Sequence, residues 1–445
     1  MLVFNTVNLT PAYSYAISEY GNVLDDVYGS NGNVSDDVYG SNGGVADDVY
    51  GIINIGKYLL NNLKPSFTPP PGYHVISSKK STIVPGVEET EIIYNTPDGQ
   101  NPVSGFLVDI NLGSSVNIMA ASKDYNKRGV QTVRKMAEAA ERETGRNIVA
   151  AINADLNWSG TGASHGPLII DDTIHTDIPA PFFGIKKNGE AVIGDGALYS
   201  EIKHELSQAV KGMGWLVRDG EVVATGTSLA PRTAVGLRAD GTVFFYVVEG
   251  RMFPRSVGVS VKDLAEVMRS YGAVMALNMD GGGSTTYLAK REGETKLELR
   301  NIPSDGTERE SISSLLVYAE PGDGVFHHAS ISAEGDIYTP YSAVQFEARG
   351  VDSAGGFAEL PANLTWSVVD AVYGTIDQTG TFFSNGTEGI VTVNLEDPSG
   401  RKVGEGSVEI RTPDDIHFRS DEFSLGFDES TDFGMRVTYQ QRPVT

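Results

Sequence analysis

No cysteine occurs in the 445 residues, which excludes disulfides, thiolate zinc sites and thiol nucleophiles together. Basic residues are scarce: 34 Lys and Arg stand against 58 Asp and Glu, for a formal net charge of -24. A chain without a basic stripe is poorly equipped to hold nucleic acid through its phosphates. No apolar run reaches the roughly 18–20 residues needed to cross a bilayer. Met1-Leu2-Val3-Phe4-Asn5 lacks the basic start of a signal peptide, so either the chain begins after a removed signal or export is not encoded here. No His-Glu-X-X-His segment occurs, and Ser284 does not sit in a Gly-X-Ser-X-Gly elbow, which leaves zincin chemistry and a serine hydrolase on Ser284 without support.

What is present falls into segments. Residues 1–71 carry three copies of Asp-Asp-Val-Tyr-Gly at an 11-residue period, at Asp25–Gly29, Asp36–Gly40 and Asp47–Gly51, followed by a proline-rich joint from Pro65 to Pro71. Each copy offers only Val and Tyr for burial, so the reading is an acidic tether. The paired aspartates are chemically suited to calcium, the one divalent cation the composition brings to mind, but they match neither the EF-hand nor the nine-residue calcium spacing. No cofactor and no metal-ligand set is firmly implied.

Residues 72–322 read as an α+β mixed catalytic domain with a β-sheet core flanked by helices. Val130, Val133, Met136, Ala137 and Ala140 mark one helix face ending at Gly145; Ser260 and Asp263 open a second, with Leu264, Val267 and Met268 inward and Gly272 at its end. Residues 328–412 alternate in short strands between Gly, Asn and Asp turns, as in a C-terminal all-β sandwich, and resemble the bacterial Ig-like group-two module. Such modules act as spacers or as wall- and polysaccharide-associated domains. Residues 413–445 read as a tail or the start of a further domain of a longer natural protein.

Both helix–strand units close on the same triplet, Asn153-Ala154-Asp155 and Asn278-Met279-Asp280. A polar residue is costly in a core but useful where a strand opens into a loop, so two such ends suggest one shared cleft. Turn capping is the competing explanation. Gly281, Gly282 and Gly283 let backbone approach a ligand and could form an N–H nest for an anion, with Ser284 and Thr285 adding hydroxyls. Arg232 opens one strand and Glu249-Gly250-Arg251 closes another; Arg232 and Arg251 suit phosphate oxygens or, equally, structural ion pairs. Glycoside cleavage commonly needs two carboxyl groups, and Asp280 with Glu249 is the preferred pair, Asp155 in reserve.

From Val103 to Ala319 the chain resembles the phosphodiester glycosidase family. The resemblance rests on Ala151-Ile152-Asn153, Gly166 to Ile170, Arg232 to Gly236 and Ala276 to Thr286, with Asn301-Ile302-Pro303 and Arg309 completing the order. It departs at Asp155-Leu156-Asn157-Trp158, where the family often carries an aromatic and acidic pair. It implies a hydrolase acting on the C1–O bond of a sugar-1-phosphodiester, an N-acetylglucosamine-α-1-phosphate diester being one candidate. Asp280, Glu249 and Asp155 would then be catalytic, with Asn153, Asn278, Ser284, Thr285, Asn301, the three glycines and the arginines around the substrate. A cell-envelope or extracellular glycan, met by a secreted or surface protein, is the expected setting. The rival is a non-catalytic polysaccharide-binding scaffold. An actin-like nucleotide hydrolase would need a second phosphate loop and an adenosine pocket that the sequence does not show.

Overall fold

The computed structural model describes residue 69 and residues 71–96, 101–113, 115–156, 162–253, 255–418 and 435–445. The acidic repeats, most of the proline-rich joint and the Asn157-Trp158 stretch lie outside the described residues. The architecture below lies within the compact unit Pro65–Thr445.

An eight-stranded antiparallel sheet forms its centre, running in space Val87–Asn95, Pro102–Ile110, Val243–Val248, Arg232–Arg238, Ala273–Asn278, Gly214–Arg218, with His74–Val84 and Glu221–Val222 at the two edges. Period-two alternation explains why its middle strands are apolar throughout. Phe106, Val108 and Ile110, with Val243, Phe245 and Val247, enter one hydrophobic core. Val103 and Leu107, with Phe244, Tyr246 and Val248, enter another on the opposite face.

The second of these cores is closed by the helix Val261–Ser270, through Leu264, Ala265, Val267 and Met268. The first is shared with a five-stranded sheet containing Asn147–Asn153, Ser314–Ala319 and Val116–Ala121, and with the helix Val133–Thr144. Thr132 caps that helix by accepting from the Lys135 N–H, and Gly145 ends it at φ 72°; Val130 lies just before it rather than in it. Ser260 caps the other helix and accepts from the Asp263 N–H at 3.0 Å. A third sheet, with Leu206–Lys211 at its middle, carries a short helix at Gly196–Ile202, which the apolar spacing did not reveal.

The helices of the described residues, 12, 7 and 10 long, therefore decorate a structure made mainly of strands. This corrects the expected α+β core flanked by helices: sheet packs on sheet across the larger core, and helices cover the remaining faces.

Beyond Ala319 the strands form two further sheets. One contains His328–Ala333 and Ala343–Val351; the other contains Thr365–Val368, Gly389–Glu396 and Lys402–Ile410. Val344, Phe346 and Phe382 from the first meet Val391, Val393, Val408 and Ile410 from the second in one core. The final stretch adds a three-stranded sheet of Asp415–Phe418, Met435–Tyr439 and Arg442–Pro443. It is tied to the preceding sheet by a bidentate Arg442–Glu409 ion pair with contacts of 2.5 and 2.7 Å.

A candidate active site at two strand ends

The two Asn-X-Asp triplets belong to different sheets, yet they meet. The Asp280 N–H donates to the Ala154 carbonyl at 2.9 Å, and the Met279 N–H to the Thr233 carbonyl at 2.8 Å. Asn153 is the bolt of this junction and is 0% exposed. Its amide donates to the Asp280 carbonyl at 2.7 Å, while its Oδ1 accepts from Thr233 Oγ1 at 2.8 Å and from the Thr286 N–H at 3.0 Å. The expectation that Asn153 reaches a sugar hydroxyl does not fit a side chain whose donor and acceptor are both engaged internally.

Asn278 differs. It lines a cleft of about 300 Å³ together with Met213, Ala230, Arg232, Arg251, Met279, Asp280, the three glycines and Arg309. Its Oδ1 is buried and has no hydrogen-bond partner among the described residues, an unsatisfied acceptor in a residue that lines the cleft.

Three arginines surround the glycine triplet, and each glycine has its own reason: a Cβ on Gly281 would meet the Pro231 carbonyl at 2.8 Å. A Cβ on Gly282, which has φ 63°, would stand 3.2 Å from Arg251 Nη1; one on Gly283 would collide with the Asp305 carboxylate and Arg309 Nη2. Arg309 is held by Asp305 through contacts of 2.8 and 2.5 Å. Arg232 donates to the Ser228 carbonyl at 2.7 Å and the Val259 carbonyl at 3.3 Å. Neither Arg232 nor Arg251 has a carboxylate partner among the described residues. Burial, and then the like charge of Arg251, pull the Arg232 pKa below its ordinary value, as expected for two cations facing a space that an anion would fill.

Asp280 is 8% exposed. Burial raises its pKa above the usual aspartate value; hydrogen bonds from Ser284 and from the Gly281 N–H and the field of Arg309 oppose the rise, and the neighbouring charge of Asp155 adds to it. Several N–H groups of the turn are already spent: Gly282 donates to the Pro231 carbonyl, Ser284 to Gly281 and Thr285 to Gly282. Anion recognition here rests on guanidinium groups more than on the expected nest.

The remaining expected residues are placed away from the cleft wall. Asp155, 1% exposed, accepts from Ser164 Oγ at 2.6 Å and from Lys211 Nζ at 3.3 Å. Asn301 bridges the Tyr287 N–H, at 2.6 Å, and the Thr285 carbonyl, at 3.0 Å. Thr285 is buried behind the turn. Glu249 departs most from expectation: it is 0% exposed and accepts from Arg255 Nε at 2.6 Å, Arg255 Nη2 at 3.2 Å and the Ile302 N–H at 2.7 Å. The Asp280–Glu249 pair is thus not a pair facing one space, because Glu249 is enclosed by its own partners.

Sequence reading missed Lys211, Arg255, Met213 and Asp305. Only Asp305 left a signal, its i,i+4 spacing to Arg309. A larger cavity of about 480 Å³ between Lys79, Glu91, Arg300 and Ser332 is lined by charges that already neutralise one another, including Arg291–Glu89 at 2.5 Å and Lys79–Asp336 at 2.5 Å. Among the described residues no group of three or more His, Asp or Glu is arranged to hold a metal ion, and no helix is long and apolar enough to cross a membrane.

Residues 146–318 match the sequence model of the phosphodiester glycosidase family, which supports a domain of that family over this segment. The chain is 30% identical over 290 residues to an SPβ prophage-derived uncharacterized protein, YomE, of Bacillus subtilis, covering 60% of this chain and 40% of that protein. It is 29% identical over 131 residues to the mouse N-acetylglucosamine-1-phosphodiester α-N-acetylglucosaminidase, covering 24% of each. The chain therefore spans well under two thirds of these relatives' length. The catalytic domain of the zebrafish N-acetylglucosamine-1-phosphodiester α-N-acetylglucosaminidase, auto-inhibited by its pro-peptide, superposes at a TM-score of 0.43 with 23% identity, over 55% of this chain and 88% of that one.

Proposed function

We propose that the cleft hydrolyses a sugar-1-phosphodiester at the C1–O bond. The observation that carries this reading is the convergence of Arg232 and Arg251, both without carboxylate partners among the described residues, on a glycine turn that begins at a buried carboxyl. Planar guanidinium groups suit phosphate oxygens. A phosphomonoester leaves readily once its charge is stabilised, so preorganised cations contribute more than a strong general acid. Asp280 manages the proton: burial keeps its carboxyl protonated closer to neutrality than an ordinary aspartate, and hydrogen bonds from Ser284 and Gly281 orient it. Asn278 Oδ1 accepts from a sugar hydroxyl or amide. Arg309 is the third cation, shared with Asp305.

The proposal extends to a phosphate-linked glycan of a cell envelope or extracellular matrix as substrate, with N-acetylglucosamine as one candidate sugar, and to action outside the cytoplasm. The two-sheet region of 328–412 serves as a spacer of Ig-like type beside a catalytic domain of 72–322. Incubating the full chain with α- and β-linked sugar-1-phosphodiesters and with the matching plain glycosides tests the reading. Release of phosphomonoester from one anomer, with plain glycosides turned over at least about 100-fold more slowly, is the expected result. Glycan binding without product release would replace the enzyme by a polysaccharide-binding scaffold.

A further inference from the structure

Glu249 carries a negative charge into a fully enclosed position; its N–H continues the sheet by donating to the Ser104 carbonyl at 2.9 Å, while its carboxylate and carbonyl fasten segments beside the cleft. The segment it begins is a tight turn: Arg255 N–H donates to the Met252 carbonyl at 2.7 Å, Met252 N–H to Ser256 at 2.9 Å and Arg251 N–H to Val257 at 3.3 Å. Glu249 closes this turn twice. Its carboxylate takes the Arg255 guanidinium, and its carbonyl accepts from Ser256 Oγ at 2.7 Å. Gly258 lets the returning strand lie against Ala230, whose carbonyl a Cβ there would meet at 2.5 Å; the turn is thereby seated beside Arg232. The third bond of the carboxylate, to the Ile302 N–H, reaches the loop that carries Asp305 and Arg309.

Held inside this clasp, Arg251 adopts φ 61°, a left-handed conformation that residues with a long side chain rarely enter. Backbone strain of this kind persists only where surrounding contacts over-determine it, and it clusters at ligand clamps. Its product is visible: the Arg251 guanidinium lies over Gly282, opposite Arg232.

We infer that Glu249 is a positioning residue, which through Arg255 and the Ile302 N–H sets Arg251 against Arg232 and the Arg309 loop at the spacing that accepts one phosphate group. The inference rests on the reading of the cleft as a phosphate site. It differs from a catalytic role, because Glu249 reaches the cleft only through other residues.

The test uses the full chain, with inorganic phosphate as the calorimetric probe and a sugar-1-phosphodiester as substrate. Arg255→Gln is the gentler variant, since the Arg255 side chain is 45% exposed and Glu249 keeps its bond to Ile302. Glu249→Gln is the direct one, checked for folding by its thermal midpoint. Both are expected to weaken phosphate binding and raise KM by roughly tenfold to a hundredfold, with a smaller change in kcat and an unchanged pH profile. Phosphate affinity and KM equal to wild type in Arg255→Gln would overturn the inference even if Glu249→Gln failed to fold. Loss of kcat alone in Glu249→Gln, with a pH limb removed, would also overturn it and restore Glu249 as a proton-transfer group. A wild-type protein that binds phosphate, loses that binding in both variants and yet cleaves no sugar-1-phosphodiester would refute the proposed reaction while leaving the positioning role intact.

Discussion

Asn153-Ala154-Asp155 and Asn278-Met279-Asp280 have the same pattern at the end of the same kind of buried strand, and the structure puts them in opposite chemical states. In the first triplet the amide and the carboxylate are both consumed: Asn153 bonds Asp280, Thr233 and Thr286, and Asp155 bonds Ser164 and Lys211. In the second, Asn278 and Asp280 line the cleft and the Asn278 acceptor is unused. One strand end is a joint and the other is a surface. A polar residue at a strand terminus is a candidate for chemistry only when its neighbours leave it something to bind.

The comparison can be broken by substitution. The largest effect belongs to the cleft-lining triplet: Asp280→Asn is expected to reduce sugar-1-phosphodiester turnover by about a thousandfold, with a far-UV spectrum and thermal midpoint showing a folded protein. Turnover near the wild-type rate would remove Asp280 from the reaction. The joint should respond in stability instead. Asn153→Ala leaves Thr233 Oγ1, the Thr286 N–H and the Asp280 carbonyl without their partner, and urea unfolding should show a loss of about 3 kcal/mol. A loss below about 0.5 kcal/mol would mean that water replaces the amide and that the triplets are joined less firmly than their distances suggest.

Asn278→Ala supplies the opposite control. Little changes in stability, because the acceptor has no protein partner to lose, while KM should rise about fivefold, the worth of roughly one hydrogen bond. The smallest effect is one of pH. The folded pKa of Asp280 is raised chiefly by burial, so its carboxylate destabilises the fold at pH values above the folded pKa. That penalty fades as the group takes up its proton on acidification. Asp280→Asn should therefore melt above the wild type near neutrality, and the two should converge below the ordinary aspartate value of about 3.9. A variant less stable than wild type at neutral pH would show that the carboxylate is net stabilising.

Much of the local structure was legible in the residues. Gly145 ends one helix, Ser260 and Asp263 open another, and apolar runs such as Val243–Val248 are strands buried on both faces. The glycine triplet beside Asp280 read as a place where backbone approaches a ligand; in the structure it is arginine and carboxylate side chains that come close to it. The reading of Glu249 went astray for an identifiable reason. A carboxylate following an apolar strand looks the same in sequence whether it faces solvent, substrate or a guanidinium. Arg255, six residues on, gives no helical or strand periodicity that would announce the pair.

By itself the sequence determined where two of the helices and several buried strands run, because capping, glycine placement and two-residue alternation act within a few residues of the chain. It also determined that a carboxyl, two amides and several arginines stand at strand ends. The tertiary structure decided which of these are structural and which face the cleft. Those assignments depend on contacts between distant positions, 127 residues apart for Asn153 and Asp280 and 53 for Ile302 and Glu249. The character of a buried polar group is set by the partners that surround it, and partners so far along the chain leave no trace in local pattern.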